Sequence, residues 1–343
     1  ALVVLTLLLV LPAYYAQSHA DIYYKLDESL PRDLPSIVSN EKLKEDFDMA
    51  TSHFIVLRDD LTATQMREIE ERMENLDGVT SVLSYHAMLG TGIPDFFVPE
   101  ELRQMLRQDG WQLMMVNSSY EPATDQVSAQ LDEMHAILHD YDPDAMITGE
   151  GAMYRDLIET AAVDFNVTSY ISIAAIFLII AVVFRSLTVP AVLVATIELA
   201  IFLNQGCSYF TGAQIPFIAP TIISCVQLGA TVDYAILMTT RYKSERIRGQ
   251  DKKEAVRIAL TTSIPSILVS GFGLFAATFG VALYSKIDMI SSICMLLARG
   301  AVISMLCVIL ILPALLLLLD KVICVTTLGM KQKRKTEQEV LLK

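Results

Sequence analysis

Apolar residues gather in long runs in the second half of this chain and thin to short periodic patterns in the first. The runs Val167–Phe184, Val189–Phe210, Phe217–Thr240, Thr262–Leu283 and Ile290–Leu319 match the roughly 20 helical residues needed to cross a hydrocarbon core about 30 Å thick. They predict five spanning helices. A shorter run from Ala1 to about Ala16 reads as the outer part of a further spanning helix rather than a signal-peptide core. No basic flank precedes it, no small-x-small site follows, and Tyr14 and Tyr15 sit where interfacial aromatics belong. The chain opens inside this run without an initiator Met, which reads as a piece of something longer.

Between the first and second runs the periods are those of a folded α+β region. His53–Arg58 (HFIVLR) is strand-like, and Thr62–Leu76 is helical, with Met66, Ile69, Met73 and Leu76 on one face. Asp77-Gly78 closes that helix and Val79–Leu83 begins a second strand. After an insertion rich in Pro and Phe (Ile93–Asp109), the order repeats as strand Trp111–Val116, helix Thr124–Tyr141 and strand Ala145–Thr148. Val127, Leu131, Met134 and Leu138 mark the apolar face of the second helix. Two successive β-α-β units predict a split-βαβ, ferredoxin-like module. Its last helix, from about Ala152, runs straight into the second span. The expected fold is thus a polytopic α-helical membrane protein of about six transmembrane helices, the first truncated, with an extracytoplasmic α+β domain. The expected divisions are a partial helix at 1–16, the α+β domain at 17–165, a five-helix bundle at 166–320 and a basic tail at 321–343.

Composition agrees with this division. At 53% hydrophobic residues, 19% charged and a mean hydropathy of +0.46, the chain is too apolar for a soluble protein of its size. The formal charge of −13 conceals two parts: residues 17–165 hold 30 acidic and 10 basic side chains, a net of −20, and the remainder carries +7. An acidic polar region repels phosphates, which argues against nucleic acid as a partner. All five cysteines lie in the apolar half, so no disulfide framework or cysteine-rich metal site is legible. An exported region without disulfides points to a bacterial cytoplasmic membrane.

Orientation follows from the bases. The loop Arg241–Arg257 carries seven Lys and Arg against three acids, and the tail holds Lys331, Lys333, Arg334 and Lys335. Both are expected on the cytoplasmic side, which puts the acidic region outside.

No P-loop, G-x-S-x-G elbow or H-E-x-x-H pair occurs, so no enzymatic chemistry and no cofactor is expected. His135 and His139 share a helix face but lack an evident third ligand, and read as surface histidines. The informative residues are ionisable groups inside spans, where charge is costly and marks an ion or substrate path. These are Glu198, Asp233 and Arg299. Asp233 lies eight residues, about 12 Å, inside the Arg241 end of its helix. A carboxyl at that depth is held neutral when dry and ionises when water or a cation reaches it, as a proton carrier must. Tyr234, next to it, could donate to a carboxylate of a facing helix or help conduct the proton. Glu198 lies at similar depth and reads either as a second member of the path or as a protonated packing residue. Arg299 needs a carboxylate, carbonyls or water: pairing with Asp233 or Glu198 is one reading, and satisfying the outer ends of neighbouring helices is the other. Ser266 and Ser270, at i and i+4, either hydrogen-bond Asp233 or serve close helix packing, as does Ser263.

One span, a large external α+β region, five further spans and the string from Gly229 to Tyr242 (GATVDYAILMTTRY) together resemble one half of an RND-superfamily transporter, within it the MMPL family of hydrophobic-substrate exporters. The resemblance implies export of lipids or other hydrophobic or amphiphilic molecules, driven by proton influx. Protons would be the coupling ion, Asp233 and Tyr234 the relay, and the external domain a porter region. It implies as partners membrane lipid, a hydrophobic substrate, and another transporter half in the same chain or an equivalent protomer. Glu198, Arg299, Ser266 and Ser270 match no motif of the family and rest on the physical argument. The basic tail suggests the C-terminal half. Two other classes remain open: a sterol- or lipid-sensing membrane module, which needs no titrating carboxyl, and a protein-translocation accessory of the same superfamily.

Overall fold

The computed structural model describes residues 2–24, 29–89 and 100–328. In chain order the elements are α1 (Leu2–Ser18), β1 (Ile22–Tyr23), α2 (Pro35–Phe47), β2 (Thr51–Arg58), α3 (Ala63–Glu74), β3 (Val79–Ser84), α4 (Tyr85–Leu89), α5 (Glu100–Leu106), β4 (Arg107–Gln108), β5 (Trp111–Ser118), α6 (Asp125–His139), β6 (Met146–Gly149), α7 (Glu150–Phe184), α8 (Thr188–Thr211), β7 (Ile215–Pro216), α9 (Ala219–Ile247), α10 (Lys252–Tyr284) and α11 (Asp288–Thr326). They divide into two compact units, Tyr24–Ala161 and the segments on either side of it, Ala1–Tyr23 with Ala162–Lys343. Lys331, Lys333, Arg334 and Lys335 of the expected tail lie outside the described residues.

In the first unit the strands run β3-β5-β2-β6, every neighbouring pair antiparallel, with β4 attached to β5. The two β-α-β units therefore interleave, each placing its strands on either side of a strand of the other. Alternation along β2 buries Thr51, His53, Ile55 and Leu57 on one face, as the two-residue period of a strand requires. α3 and α6 cover that face: Met66, Ile69 and Met73 join Met134, Ile137 and Leu138 over Ile55, Leu57, Met114 and Val116. α3 opens with a capping box, in which Thr62 Oγ1 accepts from Gln65 N and Thr62 N donates to Gln65 Oε1. That reciprocal pair satisfies two otherwise open donors of the first turn.

The insertion that reaches Asp109 holds α5 and β4 in its described part. β4 turns into β5 through Asp109 (φ 54°) and Gly110 (φ 82°). Two consecutive positive φ values suit the right-handed twist of a hairpin, and an Asp-Gly pair tolerates them.

The second unit is helical. α7, α8, α9, α10 and α11 are each long and apolar enough to cross a membrane. α1, at 17 residues, packs on α8. Gly206 makes that approach close, since a Cβ there would lie 3.1 Å from both the Ala13 carbonyl oxygen and Ala16 Cβ. Small residues are what allow helix backbones to meet this closely without help from water. Two-residue parallel pairing joins β1 to β7, Ile22 opposite Ile215 and Tyr23 opposite Pro216. The main core draws Ile180 and Phe184 of α7, Leu193 of α8, Tyr234 and Met238 of α9, Ile267 of α10 and Val308 and Leu312 of α11 into one cluster. α11 runs to Thr326, past the Asp320 at which the hydrophobic pattern ends its bundle.

Candidate functional site in the helical unit

α9 presents two stripes of opposite character. Ser224, Gln227, Thr231, Tyr234, Met238 and Tyr242 recur at intervals of three and four and are buried. Val226, Gly229 and Asp233, at intervals of three and four, and Thr240, seven residues further, lie on another face and are exposed. This is the i, i+3, i+4 geometry that gives a helix separate sides. Asp233 and Tyr234 therefore point to different surroundings, the carboxyl out of the unit and the phenol into it. A Cβ built at Gly229 would meet nothing within 4 Å, so the stripe is open at Gly229, one turn from Asp233.

Arg299 is satisfied within its own unit, by α8. Its Nε donates to Asn204 Oδ1 (2.9 Å), and its Nη2 donates to the Asn204 carbonyl oxygen (2.6 Å) and to Ser208 Oγ (3.0 Å). Among the described residues it makes no ion pair with Asp233 or Glu198, the pairing that the sequence left open. Glu198, half-buried on α8, has no hydrogen-bond or ion-pair partner among the described residues. Ser266 and Ser270 are exposed on α10 and form no hydrogen bond with Asp233. The neighbouring Ser263 is buried, and its Oγ has no hydrogen-bond partner among the described residues. His135 and His139 are exposed on α6, and among the described residues no three His, Cys, Asp or Glu side chains gather as a metal site would require.

Two polar constellations in the helical unit bring together residues that the sequence reading did not single out as a site. The first joins three helices. Asn204 Nδ2 donates to Gln227 Oε1 (2.9 Å) and to the Leu296 carbonyl oxygen (3.0 Å), and Gln227 Nε2 donates to Ser304 Oγ (2.8 Å). Gln205 Nε2 reaches the Pro220 carbonyl oxygen and Ser224 Oγ, each at 3.2 Å. The amides cross α11 at Gly300, where a Cβ would lie 2.6 Å from both Asn204 Nδ2 and Gln227 Oε1. Uncharged amides inside apolar runs, Asn204-Gln205 and Gln227, were the available signal.

The second constellation ties α9 to α11. Asp320 accepts a hydrogen bond from the Tyr242 hydroxyl and a forked pair from Arg246, Nε to Oδ1 at 2.8 Å and Nη2 to Oδ2 at 3.1 Å. Both charged side chains are buried to about a tenth exposure or less, 10% for Arg246 and 8% for Asp320. A fork of this kind satisfies both carboxylate oxygens at once.

Five apolar spanning helices around a polar network, with an added sheet unit, define a multi-pass membrane protein. The MMPL family profile matches residues 28–341. The chain belongs to the MMPL family. It is similar to the membrane protein YdgH of Bacillus subtilis, with 25% identity over 80% of this chain and 31% of that protein. It is also similar to "Probable transport protein MmpL12" of Mycobacterium tuberculosis, 25% identical over 66% of this chain and 20% of that protein. "Siderophore exporter MmpL5" of the same species is 24% identical over 46% of this chain and 17% of its own length. The chain thus spans about a third or less of these relatives.

Proposed function

We propose that this chain is one repeat of a transporter driven by the proton-motive force, exporting lipids or other hydrophobic or amphiphilic molecules across a bacterial cytoplasmic membrane. Asp233 and Tyr234 form its relay. The observation that carries the reading is the open stripe of α9. A carboxyl about 12 Å from the basic end of a spanning helix, flanked by Gly229 and facing out of its own unit, is unfavourable against lipid. It is suited to the face of an equivalent helix from another half, with proton entry between them driving export of the substrate. The names of MmpL12 and MmpL5 support transport as the activity of the whole protein.

The sheet unit is then the extracytoplasmic porter domain. Its interleaved antiparallel order, β3-β5-β2-β6, supports a ferredoxin-like reading. The basic loop after α9 supports the orientation with that domain outside.

The test is substrate-stimulated proton flux in vesicles containing the complete protein, wild type against Asp233→Asn. Loss of flux in a monodisperse, folded variant supports the relay. Unchanged flux overturns it.

A further inference from the structure

The three hydrogen bonds that tie Arg299 to α8 all go to neutral acceptors: Asn204 Oδ1, the Asn204 carbonyl oxygen and Ser208 Oγ. They orient the guanidinium without cancelling its charge. They use Nε and Nη2, and Nη1, which carries two of the five N–H donors, has no partner among the described residues. A permanent cation held in a span by dipoles alone is costly, and an anion within reach of Nη1 relieves that cost.

The face of α11 that bears Arg299 narrows the choice of anion. Met295, Arg299, Val302, Leu306 and Leu310 follow at intervals of four, three, four and four and so share one side of the helix. Met295, Leu306 and Leu310 are 43%, 47% and 53% exposed, and Arg299 is the one charge among them. From Arg299 to Leu310 is 11 residues, about 16 Å along the helix, which is half of a hydrocarbon core about 30 Å thick. The apolar track is therefore as long as one leaflet is deep. Side chains lean toward the N-terminal end of their helix, so the guanidinium is displaced away from that track, toward Ser208 near the end of α8. There Tyr209 packs edge-on against Tyr15 of α1, and aromatic side chains of this kind mark the level of lipid headgroups.

We infer that Arg299 binds the headgroup of an anionic membrane lipid through Nη1, with the acyl chain of that lipid lying along Val302, Leu306 and Leu310. Asn204 and Ser208 are positioning residues, which hold the guanidinium by Nε and Nη2 and leave Nη1 to the anion. That the lipid belongs to the outer leaflet rests on the orientation proposed above. The site itself rests neither on that orientation nor on the relay.

The test is lipid binding by the complete protein in maltoside micelles, which contain no phosphate, read as the rise in thermal midpoint that a ligand of the folded state produces. Phosphatidylglycerol is expected to raise the midpoint of the wild type, and phosphatidylcholine and inorganic phosphate to raise it far less. Arg299→Gln should weaken the apparent affinity for phosphatidylglycerol about tenfold or more, the worth of a hydrogen bond to a charged group, and Arg299→Lys, which keeps the charge, should weaken it less. Leu306→Asn, at an exposed position on the track, should cost about tenfold, the worth of one apolar side chain. If Arg299→Gln does not fold, Leu306→Asn decides. Wild-type affinity in either folded variant overturns the site, as it would if a carboxylate from the rest of the protein already occupied Nη1. An equal response of the wild type to phosphatidylcholine removes the preference for an anion, and an equal response to inorganic phosphate removes the lipid; either result overturns the proposal. Micelles carry no gradient and no sidedness, so these outcomes are independent of the Asp233→Asn flux assay, which judges the transport reading by itself.

Discussion

Asp233 and Tyr234 are consecutive on α9 and face apart: the carboxyl stands on the exposed stripe with Val226 and Gly229, and the phenol is buried in the main core with Met238. One residue belongs to a surface awaiting a neighbour and the other to the interior of its own unit. Substituting the two should therefore have different consequences for folding. Tyr234→Ala removes a large side chain from the main core and is expected to cost about 3–5 kcal/mol, whereas Asp233→Asn should leave the thermal midpoint of this chain nearly unchanged. Thermal unfolding of both variants in detergent checks the contrast.

The open space at Gly229 makes a second prediction. A Cβ at Gly229 meets no atom within 4 Å and the position is exposed, so Gly229→Phe should leave stability within about 0.5 kcal/mol, as surface substitutions do. In the complete protein it should abolish substrate-driven proton flux by wedging apart the faces around Asp233. Normal flux in a folded Gly229→Phe protein would remove the stripe as a packing face.

At Gly300 the opposite holds. Gly300→Ala places a methyl group 2.6 Å from Asn204 Nδ2 and Gln227 Oε1, and both amides must give up their bond or their position. The expected loss is about 1–3 kcal/mol, from crowding and unsatisfied buried amides. Gly273→Ala on α10, where nothing lies within 4 Å, is the control and should be close to neutral. Equal thermal midpoints for the two variants would count against the crossing.

The Arg246–Asp320 fork is buried, so removing one partner leaves an uncompensated charge. Arg246→Met is expected to destabilise by about 3–5 kcal/mol, and the double variant Arg246→Met with Asp320→Leu by clearly less. A double-mutant cycle on thermal stability measures this, and additivity of the two substitutions would contradict the coupling.

The sheet unit carries a titration prediction. His53 is fully buried on β2, and neither ring nitrogen has a partner in hydrogen-bond geometry among the described residues. Burial lowers its basicity, the larger effect, while the neighbouring Gln130 amide opposes it. The folded state therefore holds the ring neutral longer than the unfolded chain does. Below about pH 6.5 the unfolded state binds more protons, so the stability present at higher pH falls as pH drops through that range. Hydrogen exchange at the β2 and β5 amides, corrected for intrinsic rates, should show protection declining from pH 7.5 to 5.5 in the wild type and declining less in His53→Phe.

What was legible in the sequence follows from how each element is stabilised. The spanning helices, α3 and α6 announce themselves because lipid or a core demands a continuous or periodic apolar side; Met66, Ile69 and Met73 are buried as their spacing implies. α2 has no buried residue at all, so it leaves no apolar stripe to read, and the two-residue strands β1 and β7 are too short to carry a period. The polar crossing was missed for a related reason. Asn204, Gln227 and Ser304 carry no charge, and within an apolar run their pairing depends on three helices meeting, which spacing along one helix does not encode. Arg299 was visible as a charge in need of partners, but the partner proved to be an amide and a carbonyl oxygen of α8.

The crossing at Gly300 also constrains how the helices move. If α11 turned or slid by one residue, the side chain of Arg299 or Ala301 would enter the slot now occupied by the two amides. Neighbouring positions are therefore separated by a steric barrier, with no continuous range of intermediate settings. α11 sits in a detent against α8 and α9. Small thermal displacements return to the same notch, and a working stroke that passes through this region must either carry the three helices together or jump a whole step.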